Sequence, residues 1–122
     1  MATRGTIGYE TAEGGYVGVY VHYDSYPAHM GPALSAMLHA DVVIMVSKGL
    51  AGGGIRCVFE PDSEGRPGGY EVFFNDGPRA PDTAWPRRPE EYAYRKRWDG
   101  RLEFIDRTGN VYEWHADIPH AD

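Results

Sequence analysis

A single cysteine among 122 residues excludes an internal disulfide. Cys57 stands in the apolar run 55–59, where a thiol behaves as a small hydrophobe, so no nucleophilic role is expected of it. Long hydrophobic runs are missing too. The longest, residues 42–46, falls far short of the roughly 20 residues that a membrane-crossing helix needs, and no basic-then-apolar leader opens the chain. The expectation is a cytoplasmic protein with no membrane partner. Positive charge is scarce: 12 Lys and Arg against 18 Asp and Glu leave a net charge of −6. Such a molecule repels phosphate backbones unless its cations are gathered in one place, which argues against a nucleic-acid partner. Arg87, Arg88, Arg95, Lys96, Arg97, Arg101 and Arg107 are close in sequence, but Glu90 and Glu91 interrupt them, and the segment reads as a mixed, solvated surface. No internal repeat or low-complexity segment is present.

What the chain has is turn residues and tyrosine. With 16 Gly, 9 Pro, 9 Tyr and 42% hydrophobic residues, the composition is that of one loop-rich, sheet-rich globular domain spanning residues 1–122. Residues 16–27 alternate along a strand that stops at Pro27, placing Val17, Val19, Val21 and Tyr23 on one face and Tyr16, Tyr20, His22 and Asp24 on the other. A preceding strand, 4–10, is joined to it by the glycine-bearing turn 11–15. Facing apolar residues set the register, with Ile7 opposite Val19 and Tyr9 opposite Val17. Thr6 then meets Tyr20, and Arg4 meets His22.

Met30, Leu34, Met37 and Leu38 repeat at helical spacing, with Pro32 taken into the first turn. Residues 41–48 admit two readings: β-branched content favours a strand, whereas Asp41 as a cap and Gly49 as a stop favour a helix. The glycine loop 50–54 lacks the context of a phosphate-binding loop. Strands are expected at 55–59 and 70–74, followed by a proline-rich loop over 77–89 that carries Trp85. Asp99-Gly100 predicts a two-residue hairpin pairing Lys96 with Glu103 and Tyr94 with Ile105, and a second turn at 107–110 completes a three-stranded meander. The expected fold is a single α+β domain: an antiparallel sheet from the N-terminal hairpin and the meander, with one or two helices packed on one face.

At Thr3-Arg4-Gly5-Thr6-Ile7, and again at residues 19–27 with Gly31 and Leu34, the chain resembles a family of small proteins encoded by phages and prophages. Its members carry a TRS-x-I start and an I-Y-x-H-W-D-G-Y-P core. Tyr23 stands where the family has tryptophan, and Ser25 where it has glycine, a residue suited to positive φ. The resemblance implies a helix over 41–48 and a small accessory protein, and no reaction.

Arg4, Tyr20, His22, Asp24, Tyr26 and Trp85 are the candidate binding residues. An arginine fork suits a carboxylate or phosphate, and Trp85 beside arginines has the composition of an interface anchor. Both also have structural readings: Asp24 holding an Asx-type turn, and Trp85 pinning its loop to the body. His22, Asp24 and His29 are three conceivable metal ligands, but no metal or other cofactor is expected, since nothing in their spacing assures convergence. The favoured expectation is a non-enzymatic protein that binds and modulates a host factor, such as a defence component. The first alternative is a protein binding a small anionic or nucleotide-like signalling molecule at Arg4, Tyr20, His22 and Asp24. The second is a hydrolase with His22 as general base oriented by Asp24. A homo-oligomer stays open.

Overall fold

The structure is a computed structural model that describes residues 3–73, 77–86 and 91–115. The expected strand end at 74, the turn at 75–76, Arg87, Arg88, Pro89 and the tail 116–122 lie outside the described residues. Strands β1 (Gly5–Glu10) and β2 (Tyr16–Val21) lead into helices α1 (Pro27–Ser35) and α2 (His39–Gly52). Strands β3 (Ile55–Val58), β4 (Tyr70–Val72), β5 (Tyr92–Lys96), β6 (Leu102–Asp106) and β7 (Val111–Glu113) come after them. They form one sheet in the order β4-β3-β2-β1-β5-β6-β7. The domain is α+β with helices on one face, as expected, but the sheet is mixed rather than antiparallel. β2 pairs with β3 and β1 with β5 in parallel. The physical reason is the connections: α1 and α2 return the chain to the same end of the sheet before β3, and the segment after β4 does so before β5.

β1 and β2 pair in the expected register, Ile7 with Val19 and Tyr9 with Val17. On the helix-facing side Ile7, Val19, Val21, Ile55, Tyr94 and Phe104 join Met30, Leu34, Val42, Met45 and Val46 in one core. α2 resolves the two readings of 41–48. Val42, Met45, Val46 and Gly49 are buried at helical spacing, which outweighs their β-branched content. The helix is longer than expected at both ends. Asp41 is the third helical residue, its carboxylate accepting the Leu38 N–H at 2.9 Å, and the left-handed stop is Gly53 rather than Gly49. α1 starts earlier too, with Pro27 in its first turn, so Pro32 lies inside the helix. Among the described residues no single helix is long and apolar enough to cross a membrane; α1 and α2 are that apolar only as a pair, and they meet at a bend of 116°.

The β5–β6 hairpin departs from its expected register by one residue. Arg95 pairs with Glu103, Tyr94 with Phe104 and Lys96 with Leu102. The turn spans Arg97 to Arg101 with N–H···O closure at 2.7 Å, and of Asp99 and Gly100 only Gly100 has positive φ. A one-residue slip exchanges faces, so this register puts Leu102 and Phe104, rather than Glu103, beside Tyr94 in the core. Arg95 and Glu103 are left opposite each other and bond at 2.6 Å.

Candidate functional site

The face opposite the helices is covered by the segment 77–86. Asp82 exchanges backbone hydrogen bonds with Gly18 at 2.8 and 2.9 Å, and the Arg79 N–H reaches the Leu50 carbonyl at 2.7 Å. Beneath this strap lies Tyr16, expected on the candidate-site face but buried as a structural pin. A Cβ at Gly8 would fall 2.4 Å from its ring, and a Cβ at Gly18 2.5 Å from its hydroxyl, so both glycines make the slot the ring fills. Its hydroxyl donates to the Tyr94 carbonyl at 3.3 Å, and burial pushes its pKa far up. Trp85 meets Tyr16 edge-on at 5.3 Å and carries the Arg95 guanidinium on its face at 4.5 Å. Through these contacts Trp85 ties its segment to the body of the domain.

At the end of the strap the sheet and the loop enclose a recess of about 220 Å³, lined by Arg4, Thr6, Tyr20, Asp82, Glu91 and Tyr92 among others. Thr6 and Tyr20 reach it as a cross-strand pair, and Gly5 lies opposite Tyr92. A shallower depression of about 320 Å³ shares Glu91 and Tyr92 and adds Thr3, Tyr26 and Arg107. The candidates are therefore divided: Arg4 and Tyr20 face the first recess, Tyr26 the second, and Trp85 lies back along the strap. Glu91 and Tyr92, the wall common to both, were not singled out from sequence. Their only sequence signal was a position at the start of an expected strand, and what makes them neighbours of Arg4 is the parallel β1–β5 pairing.

His22 stands outside the recess lining. Its Nδ1 is hydrogen-bonded with the Tyr20 hydroxyl at 2.5 Å, and its ring contacts Tyr23 at 4.5 Å and Phe73 at 5.9 Å. Asp24 is exposed and its carboxylate bonds to none of the described residues, so it neither orients His22 nor closes an Asx-type turn. Its backbone has φ 58°, so the positive φ of this turn falls one residue before the serine. Ser25 is fully buried instead: its hydroxyl donates to the Arg4 carbonyl at 2.7 Å, and its carbonyl accepts the Tyr94 hydroxyl at 2.5 Å. His29 turns elsewhere, with Nε2 2.7 Å from the Val58 carbonyl. His22, Asp24 and His29 thus do not converge, and among the described residues no group of His, Cys, Asp or Glu could hold a metal ion.

Electrostatically the molecule divides in two. Over β5 to β7 three arginines are paired with carboxylates: Arg95 and Arg97 with Glu103 at 2.6 and 3.1 Å, and Arg101 with Asp99 at 2.8 Å. In the recess Arg4, Asp82 and Glu91 line one cavity, and none of them forms an ion pair with a described residue. Compared with known proteins, the chain matches no family model, no curated protein and no solved structure.

Proposed function

We propose that the chain is a small binding protein of the phage accessory type that engages a host factor through the recess at the strap end. The reading is carried by one observation: around this cavity Arg4, Asp82 and Glu91 carry charge that no ion pair among the described residues neutralises. The shape favours part of a protein partner: the recess offers about 220 Å³ and lies beside an open depression of about 320 Å³ rather than forming one enclosed pocket. The adjoining depression extends it sideways along Glu91 and Tyr92, as a groove suited to an extended segment. The hydrolase reading loses its orienting carboxylate, because Tyr20 rather than Asp24 partners His22.

The test is affinity capture from a bacterial host lysate with the wild type and with Arg4→Glu, whose exposed side chain leaves the fold undisturbed. One protein retained by the wild type and depleted at least about tenfold by Arg4→Glu is the expected result. Retention of nothing by the wild type, together with a nucleotide that raises its melting temperature, would instead assign the recess to a small ligand.

A further inference from the structure

Building on the reading of the chain as a partner-binding protein, and dependent on it, we infer that the recess is a docking point for a residue-sized group carrying both charges. It fits a lysine or arginine side chain with a carboxylate beside it, in an extended segment of the partner.

The lining is dipolar. Arg4 supplies a guanidinium, and Asp82 and Glu91 supply carboxylates, yet these opposite charges do not neutralise one another across the cavity. In the 62–66 turn and over β5 and β6 the arginines are paired instead: Arg66, Arg95, Arg97 and Arg101 each lie within 4.0 Å of a carboxylate. A lone phosphate entering the recess would gain Arg4 and oppose two carboxylates. A lone cation would do the reverse, and only a dipolar group is matched at both ends.

The framework fixes the backbone at Arg4 and Asp82 before anything binds. The Arg4 backbone is fixed by the Ser25 hydroxyl at 2.7 Å, and Asp82 by its two bonds to Gly18. Thr6 and Tyr20 are locked opposite each other in the sheet. A ligand therefore need not order the backbone that carries the site, which lowers the cost of binding. The Thr6 hydroxyl, half-buried in the lining, adds one neutral donor or acceptor between the charges.

The experiment is an amide-resolved NMR titration of the full chain with four probes: N-acetyl-arginyl-aspartyl amide, N-acetyl-arginine amide, N-acetyl-aspartate amide and AMP. The dipolar peptide is expected to bind saturably, at least about tenfold tighter than either singly charged amide, with shifts at Thr6, Tyr20 and Tyr92. Asp82→Asn with Glu91→Gln should weaken it at least about fivefold, and Arg4→Gln should erase its advantage over the arginine amide. Asp82→Asn and Glu91→Gln are isosteric, Arg4 is exposed, and unchanged spectra elsewhere report an intact fold. Equal affinity for all probes, no saturation with any, or preference for AMP would overturn the inference. If the peptide binds as expected and no host protein is captured, the docking point stands and the host-factor reading fails. If a host protein is captured equally well by the Asp82→Asn, Glu91→Gln variant, the reading stands and this docking point fails.

Discussion

Ser25 shows how much a small side chain can position. It occupies the space against Gly5, where an added Cβ would fall 2.7 Å from its hydroxyl, and it ties β1, the strand-end turn and β5 together through Arg4 and Tyr94. Ser25→Ala leaves the Arg4 carbonyl without that donor and should lower stability by about 1 kcal/mol, read as a fall of roughly 4 °C in melting temperature. An unchanged melting temperature would remove Ser25 from the architecture. Lys96 raises a different issue. It is buried with its Nζ donating to the Leu34 carbonyl at 3.2 Å, and desolvation lowers its pKa, opposed by the charge of Asp41. Its charged form is penalised in the fold, so the penalty is full below the lowered value and disappears as pH rises toward 10.5, where the unfolded chain also loses the proton. Glu10 runs the other way: the Trp98 N–H holds it below 4.5, so its contribution is full above that pH and is lost as pH falls through the lowered value. Lys96→Met should therefore match or exceed the wild-type melting temperature at pH 7, by about 1 kcal/mol, with the advantage shrinking by pH 10.5. A lower melting temperature at pH 7 would show the Leu34 bond to outweigh desolvation.

Between elements, one turn recurs. Thr11 to Gly15, Asp62 to Arg66, Arg97 to Arg101 and Asp106 to Asn110 each close with the first N–H bonded to the last carbonyl, at 2.7–3.1 Å. The fourth residue of each is a glycine in the left-handed region, Gly14, Gly65, Gly100 and Gly109. Their places were legible because glycine marks them, while the register of the β5–β6 hairpin was not. Asp99-Gly100 suits a two-residue turn equally well, and only the burial of Leu102 and Phe104 decides between them. The first hairpin was legible in register because Val17, Val19 and Val21 alternate cleanly against Ile7 and Tyr9. The parallel pairings were not, since nothing local in β1 or β5 says that they are neighbours. This hid Glu91 and Tyr92 from the site; the burial of Tyr16 was hidden for another reason, since its glycine slot lies in the legible hairpin but the Trp85 strap that packs on it is placed by tertiary contacts. The strap is the element most open to test. Trp85→Ala removes its contacts with Tyr16 and Arg95 and should cost about 2 kcal/mol and speed tryptic cleavage after Arg79. Cleavage at the wild-type rate would show that the backbone bonds at Asp82 and Arg79 suffice.

At the scale of the whole molecule, a net charge of −6 coexists with cations of two kinds: Arg95, Arg97 and Arg101 are paired with carboxylates, whereas Arg4 is not. The acidity discourages phosphate-rich partners, and the recess, with the depression that shares Glu91 and adds Arg107, carries both signs of charge outside any ion pair among the described residues. A competing surface lies on the other side, where Ile44 is 52% and Phe59 43% exposed beside an apolar groove. Which face meets the partner is therefore the question that decides the account. The most direct measurement places a photo-crosslinking residue at Thr6 in one variant and at Ile44 in another, each produced in living host bacteria. The account predicts one discrete host-protein adduct from position 6 and none from position 44. An adduct from position 44 alone would contradict it and move the contact surface to the helical face.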